Sequence, residues 1–368
     1  MTYDAILFAS FGGPESLDEV MPFLERVTAG RGVPRDRLEE VSHHYMTLGG
    51  VSPINEQNRQ LLAALQAELL LQGIETPVYW GNRNSEPYFA DALRDVHKDG
   101  HRKVLAFVTS AYSSYSGCRQ YRENFAKALD ATGLTGLLTI DKVRQYFDHP
   151  GFIVPFSNGL VEALKSLSDE GIDPTRTEIF FTTHSIPVSM SETSGPADFR
   201  ATLTDGTYVA QHKAAAQCVI DQARTLWDAE MPRWSLVYQS RSGAPQTPWL
   251  EPDIRDALRA RLNSETLAVV VIPIGFVSDH IEVIWDLDNE AAQTADEVGL
   301  RLIRVATPGT SHEFVSGIVD LLQERLASTE RIALSPLGPW RDVCAQDCCP
   351  NARGSLPAVA QGTESARN

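Results

Sequence analysis

The stretch Leu267-Ala268-Val269-Val270-Val271-Ile272-Pro273-Ile274-Gly275-Phe276-Val277-Ser278-Asp279-His280-Ile281-Glu282-Val283-Ile284-Trp285-Asp286-Leu287-Asp288-Asn289-Glu290 decides the fold. Its opening run, Leu267 to Ile274, is apolar without polar alternation, the pattern of a strand buried on both faces. Ser278 or Asp279 then offers an N-cap to a helix reaching to about Glu297. Glu282, Asp286 and Glu290 recur every four residues, so they stack on one face of that helix. Between them Val283-Ile284-Trp285 is apolar enough to be buried. A buried strand running through a short loop into an amphipathic helix is half of a βαβ unit.

Working outward, the same alternation fills the chain. Ala5-Ile6-Leu7-Phe8-Ala9-Ser10-Phe11 reads as a buried strand, Gly12-Gly13-Pro14 as a turn, and the segment to about Thr28 as a helix. Further strands are expected over 77–81, 104–110, near 138, and over 177–183, 235–239 and 302–305. Helices are expected over 206–229 and 279–297. Short β-branched runs separated by longer periodic segments indicate an α/β fold with mostly parallel sheets. The strands fall into two groups, with a boundary within 145–175. This divides the chain into residues 1–150 and 151–310, each a doubly wound domain, with a cleft between them. Residues 311–333 form a helix packing back, and 334–368 a cysteine-bearing tail, of which 354–368 is expected to fray. No short repeat and no long low-complexity linker interrupts this order.

The 368 residues carry a formal net charge of -16, and no basic run stands out. Binding to nucleic acid would need clustered Lys and Arg to replace phosphate counterions, so that partner class is excluded. Met1-Thr2-Tyr3-Asp4 lacks the basic start of a secretory signal, and no segment approaches the ~20 apolar residues of a spanning helix. The chain reads as a soluble cytoplasmic monomer, although an apolar substrate would still bring it to a membrane surface. The five cysteines are an odd number, and Cys344, Cys348 and Cys349 crowd together. In a reducing compartment that clustering points to metal rather than to disulfides.

Several constellations could carry chemistry. Thr182-Thr183-His184-Ser185-Ile186-Pro187 puts His184 directly after an apolar strand, where open α/β sheets bind ligands. A neutral imidazole there can take a proton near pH 7, while a His that merely caps a loop fits the position as well. Glu282, Asp286 and Glu290 would repel one another. They fit either a solvated helix face or a carboxylate rail for a divalent cation, and oxygen and imidazole ligands suit Fe(II) in transit. Tyr238-Gln239-Ser240-Arg241-Ser242-Gly243, followed by Pro248-Trp249-Leu250, reads as a binding loop beyond a strand. His43 and His44 are adjacent, point differently on a helix and make a poor chelate. The turn Gly49-Gly50-Val51-Ser52-Pro53 offers N–H groups and a hydroxyl to a carboxylate, or is simply a helix-ending turn.

The C-x3-C-C spacing of Cys344, Cys348 and Cys349 matches no zinc-finger pattern. Iron–sulfur clusters commonly take four thiolates. Cys118 lies in a polar loop after a strand, whereas Cys218 lies inside a helix, where a free Cys is usually just packed. Cys118 is therefore the better fourth ligand, and a structural zinc site is the competing reading.

Taken together, Ser10-Phe11-Gly12-Gly13-Pro14, Gly49-Gly50-Val51-Ser52-Pro53, Thr183-His184-Ser185-Ile186-Pro187, Tyr238-Gln239-Ser240, Pro248-Trp249-Leu250 and Gly275-Phe276-Val277-Ser278-Asp279-His280-Ile281-Glu282 resemble the ferrochelatase family, over nearly the whole chain to about residue 330. The resemblance implies two Rossmann-like domains around a porphyrin cleft. It implies His184 and Glu282 as the catalytic, iron-handling pair, facing each other across the macrocycle, with Asp286 and Glu290 continuing the acidic face. The tail resembles the extension of actinobacterial members that carry a [2Fe–2S] cluster, with Cys118, Cys344, Cys348 and Cys349 as ligands. Those members resemble coproporphyrin III ferrochelatases, which implies Fe(II) and coproporphyrin III as substrates. Tyr45, Ser52 and Tyr121 occupy positions resembling propionate contacts. Some bacterial relatives carry a Tyr at the position of Phe11, which cannot ligate iron, so no axial role passes to it.

The expected chemistry is proton removal from the pyrrole nitrogens by His184, with Glu282 assisting proton traffic and stripping water from incoming Fe(II). The alternatives are a protoporphyrin IX ferrochelatase, a cobalt or nickel chelatase, and a non-catalytic tetrapyrrole- or metal-binding protein.

Overall fold

The computed structural model describes residues 3–30, 32–242 and 246–362. Gly243 of the expected binding loop and the last six residues of the tail lie outside them. Among the described residues eight strands form two four-stranded sheets, and every adjacent pair is parallel. β1 (Ala5–Ser10), β2 (Val78–Asn82), β3 (Lys103–Val108) and β4 (Thr139–Lys142) make the first sheet, in the order β2-β1-β3-β4. β5 (Thr177–His184), β6 (Arg233–Gln239), β7 (Ala268–Ile272) and β8 (Arg301–Arg304) make the second, in the order β6-β5-β7-β8. Each half is thus an α/β unit with a parallel sheet. In each, the strand order reverses between the first and third strands, which leaves a crevice at their carboxyl ends.

Side-chain parity explains the layering. Successive strand residues point to opposite faces. Ile6 and Phe8, Leu105 and Phe107, Ile179 and Phe181, and Val270 and Ile272 all face one shared apolar core. Their neighbours Leu7, Ala106 and Val108 face a second core, and Phe180, Val269 and Val271 a third. The shared core lies between the sheets and is filled by helices Ile54–Leu71, Pro150–Asp169, Gly206–Arg224 and His312–Leu326. The last of these touches Ile54–Leu71, β3 and Pro150–Asp169, so it spans both halves. Phe8, Phe107, Phe156, Phe181 and Phe314 are essentially sealed from solvent. Burying each such side chain stabilises by about 1.5–3 kcal/mol, so separating the halves would forfeit much of the stability of both.

A helical hairpin, Leu17–Thr28 and Arg35–Thr47, sits over the crevice. Its buried Val20, Phe23, Leu24, Leu38 and Tyr45 pack with Ile281 from the other half. Gln57 fastens the same region: its Nε2 donates to the Asp279 carbonyl at 3.0 Å, and its Oε1 accepts from Asp279 N–H at 2.8 Å.

Three expectations need correction. The helix expected over 279–297 is α-helical at Ile281–Val283 and Ala292–Glu297, but Ile284–Ala291 between them is a π-helix. The helix expected to reach 229 stops at Arg224. The tail does not fray as far as it is described. Arg119 Nη2 donates to Leu356 O at 3.3 Å, Val359 N–H to Arg122 O at 3.2 Å, and Gly362 N–H to Cys344 O at 3.1 Å. These bonds satisfy its backbone in place of a regular element.

Candidate active site

His184 is the last residue of β5, still in register with Gln239 of β6. Glu282 lies beyond the adjacent strand β7, in the first turn of the following helix. Both therefore reach the same topological switch point. His184 Nε2 lies 3.8 Å from Glu282 Oε2, and their side chains are 33% and 48% exposed. This corrects the expectation that they face each other across a macrocycle. Heavy atoms at that spacing are already at van der Waals separation, so no porphyrin ring passes between them. The pair stands together on one side of whatever occupies the cleft.

His184 is held by its neighbours. Its Nδ1 lies 2.5 Å from the Ser185 carbonyl. A carbonyl only accepts, so Nδ1 donates to it and Nε2 is the nitrogen presented to Glu282. Tyr208 Oη donates to the His184 carbonyl at 2.9 Å, which leaves Thr183 Oγ1, 2.9 Å from the same hydroxyl, as the donor to it. Ser185 N–H donates to Gln239 O at 2.8 Å, and Ser185 Oγ to Leu250 O at 2.8 Å. The loop carrying Trp249 and Leu250 thus pins the His184 strand end from one side, and Pro187 bridges to Trp249.

Glu282 depends on His280, whose Nδ1 accepts from the Glu282 N–H at 3.2 Å. That bond caps the helix and leaves the proton of a neutral imidazole on Nε2. Burial pulls the His280 pKa down, which favours this neutral form. Asp286 lies half-buried on the π-helical turn, accepting from Ser240 Oγ, and from Gln239 Nε2 at 3.4 Å. Burial raises its pKa to about 7; the Ser240 hydrogen bond opposes this, and the charges of Glu282, Glu290 and Asp253 add to it. A carboxyl poised there exchanges protons at neutral pH, as a relay group must. Glu290 is tied to Arg255 at 3.0 Å. π-Helical turns concentrate at functional sites, and this one carries the acidic series. Ser240 adopts a left-handed φ of 60°, a strained setting for a non-glycine residue, and it presents its hydroxyl to Asp286.

The remaining expected residues are distributed unevenly. Tyr45 is buried, and burial followed by the Glu282 charge pushes its pKa up, so it borders the pair. Ser52 is buried beneath Gly13, and its N–H donates to Pro14 O at 2.9 Å. Tyr121 belongs to the outer core of the first sheet, with the Arg83 guanidinium 3.7 Å over its ring. Phe11 packs edge-on to Phe23 at 6.2 Å. His43 and His44 do not act together: His44 stacks on Trp285 at 4.3 Å with an interplanar angle of 11°, closing one wall across the halves. A cavity of about 620 Å³ opens instead at the β8 edge, lined by Pro155, Glu162, Arg304, Pro308 and Glu313, away from the pair. Sequence reasoning missed Tyr208, His280 and Trp285, and spacing alone offered no signal for them.

The cysteines divide. Cys118, Cys344, Cys348 and Cys349 are buried together, with Cys118–Cys344 and Cys348–Cys349 sulfurs each 3.8 Å apart. None forms a disulfide. Cys118 is carried on a second π-helical turn, Tyr115–Arg119, and Gly195 N–H donates to Cys349 Sγ at 3.1 Å. Cys218 lies apart, inside helix Gly206–Arg224, where burial lifts its pKa to about 12. The four thiols touch rather than open around a cavity. Among the described residues no group of three or more His, Cys, Asp or Glu is arranged to hold a metal ion.

The family model described as Ferrochelatase matches residues 3–326. The coproporphyrin III ferrochelatase of Leifsonia xyli subsp. xyli is 52% identical, covering 98% of this chain and 94% of the relative. That of Tropheryma whipplei strain Twist is 50% identical, covering 97% and 91%. Among solved structures, SirB from Bacillus subtilis with Fe3+ superposes with a TM-score of 0.50 at 8% identity, covering 88% of this chain and 96% of that one, which speaks to fold alone.

Proposed function

The chain belongs to the ferrochelatase family, and from this premise we propose that it inserts Fe(II) into coproporphyrin III to give coproheme, with His184 and Glu282 as the catalytic pair. The observation that carries the residue assignment is the 3.8 Å approach of His184 Nε2 to Glu282 Oε2 at the switch point of the second sheet.

A free-base porphyrin must release two pyrrole protons as the metal enters. His184 accepts a proton from the ring at Nε2. Glu282 beside it stabilises the imidazolium and exchanges water on the incoming Fe(II). Because both act from one side, protons leave by a single route: Glu282, then Asp286 and Glu290 along the same helix. Asp286, titrating at about 7, suits the intermediate position. Tyr45 and Ser52 would contact substrate carboxylates where the hairpin meets the cleft. Tyr121, from behind the sheet, would act through Arg83. Five free cysteines suit a reducing, cytoplasmic compartment, and a monomer suffices for this site. Among the described residues no helix is long and apolar enough to cross a membrane.

Anaerobic Fe(II) insertion, followed by absorbance with coproporphyrin III and protoporphyrin IX in parallel, tests the reading. Higher kcat/KM with coproporphyrin III supports it. A preference for protoporphyrin IX moves the substrate to the alternative, and binding without insertion of any metal overturns the enzyme assignment.

We further propose that Cys118, Cys344, Cys348 and Cys349 hold a [2Fe–2S] cluster. The donor set fits: four buried thiols in mutual contact, and a fully buried Arg122 whose Nε and Nη1 have no hydrogen-bond partner. When bound, the cluster supplies a one-electron centre and cross-links the tail to the start of helix Gln120–Thr132. Visible absorption with iron and sulfide in the purified protein, lost in Cys348→Ser, supports this. A colourless protein containing zinc assigns the thiols to a structural zinc site instead.

A further inference from the structure

Arg122 and Lys142 stand out as buried cations without anions. Arg122 is fully buried; its Nη2 donates to Cys348 O at 3.4 Å, and its Nε and Nη1 meet no acceptor. Lys142, at the end of β4, is also buried, and its Nζ donates only to neutral oxygens, Val143 O at 2.8 Å and Gln145 Oε1 at 2.5 Å. Among the described residues no carboxylate lies within ion-pair distance of either. The nearby acids are engaged elsewhere: Glu123 pairs with Arg119 at 3.1 Å, and Asp141 accepts from Tyr3 at 3.0 Å.

An uncompensated buried charge costs several kcal/mol, so each of these cations needs a nearby anion. The Arg122 guanidinium reaches the buried cysteine cluster at the Cys348 carbonyl. Cys344, Cys118, Cys348 and Cys349 all lie near enough to act on the Arg122 charge. Arg122 and Lys142 both lie near enough to Cys118 for their charges to act on its sulfur. Four neutral thiols supply no charge to balance two cations. An oxidised [2Fe–2S] group with four thiolates is a dianion and balances them in full.

We propose that Arg122 and Lys142 are the charge-balancing positioning residues of this metal–thiolate group and set its reduction potential. This rests on the cluster reading above. Reduction adds one negative charge at the cluster, and each buried cation stabilises the reduced form. Arg122 Nε and Nη1 also remain without an acceptor, and donation from them to cluster sulfur would raise the potential further.

The experiment is an anaerobic redox titration of the purified full chain, followed by visible absorption, with iron and sulfide analysis in parallel. Arg122→Gln and Lys142→Gln are each expected to keep the cluster and become harder to reduce. At a fixed ambient potential the ratio of reduced to oxidised cluster falls about tenfold, which is 59 mV for one electron. Arg122→Lys keeps the charge and stays nearer the native ratio, and Lys142→Gln provides the reading if Arg122→Gln fails to fold. Cluster-bearing variants with unchanged potentials overturn this inference alone. A native protein without iron or sulfide overturns the cluster reading, and this inference with it.

Discussion

The hydroxyl of Tyr208 holds the main-chain carbonyl of His184 at 2.9 Å while Thr183 Oγ1 approaches the same hydroxyl at 2.9 Å. Burial keeps this phenol un-ionised, its pKa pushed well above the ordinary value, so it remains a donor across the working pH range. Tyr208→Phe removes the donor without changing the packing. A buried hydrogen bond contributes about 0.5–1.5 kcal/mol, so only a modest fall in Tm is expected. Because the contact fixes the strand end that carries His184, kcat for iron insertion should fall about tenfold with KM for porphyrin nearly unchanged. Steady-state kinetics checks this, and an unaltered kcat would remove Tyr208 from the positioning of His184.

His184 and Glu282 lie close enough to act as a unit. A general base contributes typically about 10²–10⁴-fold, so His184→Ala should lose that much in insertion rate while still binding porphyrin. Residues that act together lose activity non-additively. Adding Glu282→Gln to His184→Ala should therefore cost little more. Independent, multiplying losses in the double variant would place the two groups on separate steps.

Asp286 makes stability depend on pH. Its folded pKa is raised to about 7 by burial and by Glu282, Glu290 and Asp253, against the Ser240 hydrogen bond. The folded protein thus holds this proton more tightly than the unfolded chain, whose Asp titrates near ~4. The stabilisation is present in full below that value and is lost as pH rises through about 7. Asp286→Asn removes the dependence. In metal-free protein the Tm of the variant relative to native should climb between pH 5 and pH 8. A constant difference would mean that the carboxyl is not held protonated.

His44 and Trp285 join the hairpin to the π-helical turn by a stack at 4.3 Å. Aromatic pairs contribute about 0.5–1.5 kcal/mol beyond area burial. A double-mutant cycle with His44→Ala and Trp285→Ala, read by denaturant unfolding, should return a coupling in that range. Zero coupling would reduce the stack to coincidental proximity.

Legibility in the sequence followed the range of the interactions. All eight strands lie within a few residues of their expected places, because strands buried on both faces read as apolar runs however the chain later packs. His184 and the acidic series were legible because each lies just past such a run. The common side taken by His184 and Glu282 was not, since it depends on β5 and β7 being neighbours, a pairing between residues about ninety apart. The π-helical turn under Asp286 was equally hidden: the four-residue spacing that suggests an α-helix survives in the wider turn. No spacing or motif marks Arg122, whose interest lies in its burial and its unpartnered Nε and Nη1.

The same strand neighbourhood makes Gly275 a structural necessity. Gly275 N–H donates to Thr182 O at 3.2 Å as the chain leaves β7 and crosses the end of β5. A Cβ there would lie 2.6 Å from Thr183 Cβ and 2.9 Å from Thr183 Cα. The second contact is with backbone, so no rotamer change relieves it, and the strand end carrying His184 must move. Overpacking of this kind costs typically about 1–3 kcal/mol. Gly275→Ala should therefore lower Tm and also lower kcat, since the displaced atoms belong to the residue next to His184. Thr183→Ala in the same chain should not restore either, because the Cα clash persists and the donor to Tyr208 is gone. Full recovery in that double variant would show that the side chain alone, and not the backbone approach, requires glycine at this position.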